Sequence, residues 1–328
     1  MYSRLILCLK LIWRETVKKI INKIKKYKYE KYWKEHKVFK GYKDKDKVFY
    51  IVRRRKEYVG LFSNFIVFVN SVKKAIECGY IPIIDMKSNF NIYLKENEVG
   101  YINSWETFFE QPMGYTLDDI KHSRNIIVGS GDPSDIFPYN DVDWMMNSEG
   151  EISAYKEIVH KYFHYSKHAQ EEIENGFNAL INENDKVLGV LLRGTDYTHT
   201  KPSGHPVQPT IDQMFQKIDE IVMKYNCNKI FIGTEDKNIY MAFVNRYNEK
   251  VITNRKDFLE YNGEALIGKL IENSVEDVRK EGMVYLVTIA ILSKCDCFIG
   301  SGCSGTSAVM LLEEGFEYKY IFDLGVYK

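Results

Sequence analysis

Lys186-Val-Leu-Gly-Val-Leu-Leu-Arg-Gly-Thr-Asp-Tyr197 is an apolar run that ends abruptly in a polar turn. Read as a buried strand over 186–192, it starts a repeating order. A helix follows over 210–225, a strand over 229–233, a helix over 236–247, a helix over 275–293 and a strand over 295–299. A loop at 300–304, a helix over 305–314 and a last strand over 318–323 complete it. Four strands alternating with helices predict a doubly wound α/β domain. Upstream, strands at 47–52 and 80–85 flank a helix over 65–77 that stops at Cys78-Gly79, which implies a second parallel sheet. Residues 86–150 are less regular, with a strand at 125–128, and 151–182 reads as helix bridging two domains. The chain thus divides into a basic segment 1–47, an N-terminal Rossmann-like domain 48–170 and a C-terminal one, 171–328.

In such sheets ligands sit beyond the carboxyl ends of the strands, and three strand ends here hold polar residues. Arg193, directly after the first strand, has the planar fork that grips phosphate oxygens; the alternative is an ion pair with Asp196 that merely closes the loop. Gly233-Thr-Glu-Asp236 follows the second strand, where Glu235 and Asp236 suit ribose hydroxyls, an anchor for Arg193, or an ordinary helix start. Gly300-Ser-Gly-Cys-Ser-Gly-Thr-Ser307 follows the third and opens a helix, an arrangement that binds anions. Ser301, Ser304, Gly305 and Thr306 are its contacts for a diphosphate, against the alternative of a tight capped turn. The loop lacks the Lys-Ser/Thr of a Walker motif. Between prolines, Tyr197-Thr-His-Thr-Lys-Pro-Ser-Gly-His-Pro-Val-Gln-Pro209 forms a polar loop at the mouth of the site. It is expected to close on the donor with His205 and Gln208 near substrate and Lys201 near phosphate, or else to be a surface loop.

Net charge is +1, yet residues 1–49 carry 14 Lys and 2 Arg against 5 acidic residues, so the arm is +11 and the remainder −10. That distribution argues against a nucleic-acid-binding body and for one cationic element meeting an anionic surface. Leu5 to Trp13 is too short an apolar run to span a bilayer and has no secretory cleavage site. Leu5, Leu9, Ile12, Val17, Ile20 and Ile24 form a stripe between lysines that suits a helix lying in a membrane interface. Six scattered cysteines without a CxxC pair exclude a common zinc pattern and a disulfide framework, which reads as a reduced, cytoplasmic setting.

Taken in order, the loops resemble the inverting fucosyltransferase superfamily, which includes the α-1,6-, α-1,2- and protein O-fucosyltransferases. Leu191-Leu-Arg-Gly-Thr-Asp196 is similar to its His-x-Arg-Arg/Gly-x-Asp, Ile232-Gly-Thr-Glu-Asp236 to its acidic turn, and Asp296-Cys-Phe-Ile-Gly-Ser-Gly-Cys-Ser304 to its C-terminal Asp-Phe…Ser-Ser loop. Gly60-Leu-Phe-Ser-Asn64 looks like the Gly-x-Phe-x-Asn turn of the protein O-fucosyltransferases. The resemblance implies a GT-B fold of two Rossmann-like domains with the site in their cleft, a GDP-sugar donor (most often GDP-fucose), inversion and no metal. It gives Arg193 the β-phosphate, Asp196 the orientation of that loop, Ser304 the diphosphate, and Asn64 a place near the reacting centre. Departures stand at Leu191 for the family histidine, Gly194 for a second arginine, and Thr288 near an expected acidic residue.

The expected chemistry is glycosyl transfer from a nucleotide-sugar donor to a glycan or lipid-linked saccharide, in surface-polysaccharide synthesis on the inner face of a bacterial plasma membrane. Stabilising the leaving diphosphate is its main catalytic effect. Asp196, Glu57 and His205 are open as general base. Two other readings remain. A metal-dependent GT-A transferase would use Asp141-Val-Asp143, and His160, His164 and His168 have a spacing that could meet a metal on one helix face. A non-catalytic nucleotide- or sugar-binding scaffold would retain the loops without turnover.

Overall fold

The computed structural model describes residues 2–133, 141–194, 198, 201, 203–258 and 275–328, with side chains from Val17 onward except at 275 and 276. Two sheets form it. The first contains β1 (His36–Val38), β2 (Phe49–Val52), β3 (Ile81–Ile84) and β4 (Ile126–Val128) in the order β1-β4-β2-β3. Strands β4, β2 and β3 are parallel, while β1 runs antiparallel to β4. The second contains β5 (Val187–Leu191), β6 (Lys229–Gly233), β7 (Val251–Ile252), β8 (Cys297–Ser301) and β9 (Tyr318–Phe322), all parallel in the order β7-β6-β5-β8-β9. Two strands escape the sequence reading. β1 lies inside the basic segment 1–47, and β7 is a two-residue edge whose periodicity is too short to register.

β2, β5 and β8 are buried along their whole length, the continuous apolar pattern of strands covered on both faces. Helix α2 (Leu61–Glu77) packs against β2 and β3 and is apolar almost all round. It ends in a Schellman cap, with Gly79 N–H on Ile76 O (2.9 Å), Tyr80 N–H on Ala75 O (2.8 Å) and Gly79 at φ 72°. The irregular stretch after β3 supplies aromatics to the same core: Trp105 stacks on Phe109 at 4.5 Å, and Phe65, Phe68 and Phe163 close around them.

Helices α3 (Val142–Asn147), α4 (Glu149–Tyr162) and α5 (Lys167–Leu180) lead to the second sheet, which carries α6 (Ile211–Tyr225), α7 (Lys237–Tyr247), α8 (Val275–Leu292) and α9 (Ser304–Leu312). One continuous core runs through both halves and includes Phe65, Leu191, Leu286 and Val309. Phe62 of α2 meets Tyr285 of α8 edge-on at 5.4 Å. Arg279 of α8 donates to Tyr93 O (2.7 Å) and pairs with Glu98. The carboxyl ends of the two sheets are thereby held face to face.

Among the described side chains, the 32-residue helix α1 (Tyr2–Trp33) is bolted on at its C-terminal end. Trp33 is buried, Arg53 stacks on Tyr32 and Trp33 at 4.7 and 5.0 Å, and Arg55 pairs with Glu30 through two bonds of 2.8 and 2.9 Å. Residues 18–29 are exposed. No helix among the described residues is long and apolar enough to cross a membrane.

Candidate functional site

Arg193 leaves the carboxyl end of β5 one residue past Leu192, whose N–H bonds to Gly233 O (3.1 Å) and carries the β5–β6 pairing beyond the strand. The two loops therefore start side by side. Arg193 Nε donates to Glu235 Oε1 at 3.2 Å, with the two side chains 18% and 11% exposed. An ion pair so shielded costs desolvation, and its return is a fixed guanidinium. The neighbouring acid does different work: Asp236 Oδ1 accepts from the N–H groups of Asn238 (2.8 Å) and Ile239 (3.2 Å), capping α7. Gly194 explains itself here, since a Cβ would lie 2.6 Å from both Cβ and Oδ2 of Asp236. The space a second arginine would need is filled by the capping carboxylate. Asp196 lies outside the described residues.

At the end of β8, Ser301 Oγ donates to Gln208 Oε1, and Gln208 Nε2 donates to Pro206 O (3.1 Å) and Gly302 O (3.4 Å). Thr306 gives its hydroxyl to Ser301 O (2.6 Å) and its N–H to Cys303 Sγ (3.4 Å), so it shapes the turn. Ser304 and Gly305 present the first N–H groups of α9, the positive end of its dipole. Ser301, Gln208 and Thr306 thus brace the turn on which these groups sit.

The polar loop around His205 is strapped to the C-terminal tail. Gly204 N–H bonds to Tyr327 O (2.8 Å), Tyr327 N–H to His205 O (2.9 Å) and Val207 N–H to Gly325 O (2.9 Å). Pro206 pairs antiparallel with Val326, and the Tyr327 hydroxyl accepts from Gln208 N–H at 3.3 Å. Nothing in the sequence marks Gly325-Val-Tyr327 as the partner. His205 is half-buried, and Lys201 is exposed with φ 45°.

From the first sheet, Gly60 caps α2 and Asn64 is buried in its first turn. Arg54 donates to Asn64 Oδ1 and Ser63 Oγ, both at 3.1 Å. Phe62 rests on Tyr285, and Tyr285 Oη lies so close to Gly305 that a Cβ there would be 2.1 Å away. Phe62, at the start of α2, and the start of α9 are therefore brought together through Tyr285. Sequence reasoning missed Arg54 and Tyr285. The triplet Arg53-Arg54-Arg55 at a strand end was the available signal, but only folding decides that Arg53 and Arg55 hold α1 while Arg54 reaches Asn64.

Among the described residues no group of three His, Cys, Asp or Glu is placed to hold a metal ion. Asp141 caps α3 by accepting from Trp144 N–H (2.9 Å), and Asp143 accepts from Asn147. Helix α4 ends at Tyr162 and α5 starts at Lys167, so His160, His164 and His168 do not share one helix face. Thr288 returns its hydroxyl to Val284 O (2.8 Å) and meets Asn254 Oδ1 at 2.9 Å. A cavity of about 350 Å³ lined by Glu35, His36, Tyr50 and Lys74 opens beside β1, away from these loops.

No family model and no curated protein matches the chain. Solved structures do. A NodZ α-1,6-fucosyltransferase co-crystallised with GDP is 13% identical with a TM-score of 0.50, covering 81% of this chain and 93% of its own. The selenomethionine form of fucosyltransferase NodZ from Bradyrhizobium is 14% identical with a TM-score of 0.50, covering 85% and 96%. POFUT1 in complex with GDP-fucose is 12% identical with a TM-score of 0.47, covering 86% and 99%. The chain has a GT-B fold, which it shares with these solved structures.

Proposed function

We propose that this protein is an inverting fucosyltransferase that uses GDP-fucose and needs no metal. The observation that carries the reading is Arg193, held by buried Glu235 at one strand end, with the start of α9 at a neighbouring strand end. A guanidinium and a helix N-terminus together make a site for a diphosphate and for the charge it gains on leaving. In this reading Arg193 takes the β-phosphate, and the N–H groups of Ser304 and Gly305 take the remaining oxygens. Gln208, Ser301 and Thr306 keep that turn in shape. An acceptor hydroxyl, delivered from the Asn64 side, attacks the fucose carbon opposite the departing GDP.

The acceptor in this reading is a lipid-linked saccharide of a bacterial surface polysaccharide, reached at the inner face of the plasma membrane. Support comes from α1, where 18–29 holds six lysines and no acidic residue, with Ile20, Ile24 and Tyr27 exposed among them.

Calorimetric titration with GDP, UDP and CMP, with and without EDTA, tests the donor. Metal-independent GDP binding that disappears in Arg193→Ala is expected, together with release of GDP from GDP-fucose when acceptor is supplied. UDP preference, EDTA sensitivity or undiminished GDP binding by Arg193→Ala would refute it.

A further inference from the structure

Two loops leave the carboxyl ends of β2 and β3, and each brings an aromatic ring to one place. Tyr58, 48% exposed, meets half-buried Phe90 with ring centroids 5.9 Å apart and planes at 59°. Neither ring belongs to a core cluster. Both loops are nonetheless well held. Ile92 N–H bonds to Glu57 O (3.3 Å) and joins them. Asp85 Oδ1 accepts from the N–H groups of Lys87 (2.9 Å) and Ser88 (2.8 Å), while Asn91 Nδ2 donates to Met86 O (3.0 Å).

The place of this pair is what gives it meaning. On one side, the loop that carries Tyr58 also carries Arg54, bonded to Asn64 at the start of α2. On the other, Asn89 beside Phe90 accepts from the Tyr32 hydroxyl at 3.2 Å, at the root of α1. The loops that carry the rings are therefore tied to the start of α2 through Arg54 and to the root of α1 through Asn89. A single exposed tyrosine is unremarkable on a protein surface. A tilted aromatic pair on fixed loops at the ligand end of a parallel sheet is a different object. A pyranose offers one face of C–H groups to aromatic π-density and a rim of hydroxyls to polar groups, and Glu57 and Asn89 directly precede the two rings in the chain.

We propose that Tyr58 and Phe90 form the subsite for a sugar ring of the acceptor, placed to aim the neighbouring hydroxyl at the donor. The inference rests on the glycosyltransferase reading above, and its test is separable from it.

Saturation-transfer NMR with methyl β-D-glucopyranoside, methyl β-D-galactopyranoside and the methyl glycoside of N-acetylglucosamine, in the presence of GDP, reads the subsite directly. Ring protons of at least one glycoside receive saturation from the wild-type protein. That signal falls about fivefold or more in Tyr58→Ala and in Phe90→Ala, persists in Tyr58→Phe, and GDP affinity is unchanged in all three. Undiminished transfer in both alanine variants, or no transfer to any glycoside from wild type, overturns the proposal. Failure of wild type to bind GDP sinks the donor reading instead, while the glycoside signal still decides the subsite.

Discussion

Gly305→Ala puts the contact between the two halves to a direct test. A Cβ at position 305 would lie 2.1 Å from Tyr285 Oη and 3.2 Å from Tyr285 Cζ and Leu191 Cδ2. Ordinary contact needs about 3.5 Å, so Tyr285 or the start of α9 must retreat by roughly 1.4 Å. Tyr285 cannot swing freely, because Phe62 packs edge-on against it. Overpacking of this kind costs about 1–3 kcal/mol. The substitution is expected to lower urea-unfolding stability by about 2 kcal/mol and, by displacing the N–H groups of Ser304 and Ala-substituted 305, to weaken GDP binding about tenfold. Tyr285→Phe removes the clashing oxygen and leaves only the 3.2 Å contacts. The double variant should recover about 1 kcal/mol relative to the sum of the two single ones, and most of the GDP affinity. Urea titration followed by tryptophan fluorescence, with calorimetry for GDP, reads both quantities. A neutral Gly305→Ala, or strict additivity in the double variant, would refute the argument that Tyr285 carries the contact between Phe62 and the start of α9.

Glu235→Gln removes a buried carboxylate paired with Arg193 and is expected to lower unfolding free energy by about 2 kcal/mol; no change would show the pair to be loose. The Glu98 carboxyl is held below the ordinary glutamate range by the Lys95 N–H and then by Arg279. A depressed folded-state pKa gives stability that is complete above the unfolded value of about 4.3 and is lost as pH falls through the folded value. Glu98→Gln should therefore flatten the acid side of a Tm-against-pH curve below about pH 4.3 and leave its shape near neutrality, whereas an unchanged acid limb would rule out this link. Reversing Lys23, Lys25 and Lys26 to Glu should reduce co-sedimentation with phosphatidylserine vesicles about a hundredfold and abolish its salt dependence; retained binding would exclude α1 as the membrane element.

The sequence determined the elements that local chemistry controls. Fully apolar runs such as Val187–Leu191 have one environment in which their burial is favourable, so the parallel sheets and their order with the helices were legible. So was the concentration of polar residues at three strand ends, because a doubly wound sheet leaves only those ends open to a ligand. What the sequence could not separate were side chains of one type that receive different work. Glu235 and Asp236 are adjacent acids, yet the β5–β6 register gives one to Arg193 and the other to the cap of α7. Arg53, Arg54 and Arg55 are likewise divided by the alternation of an extended chain and by where α1 lands. The strap between His205 and Tyr327, the contact of Tyr285 with Gly305 and the Tyr58–Phe90 pair join residues far apart in the chain. Such contacts have no local propensity to announce them. They exist only because each sheet pairs strands from separate stretches of the chain and so brings the loops and helices at the strand ends together.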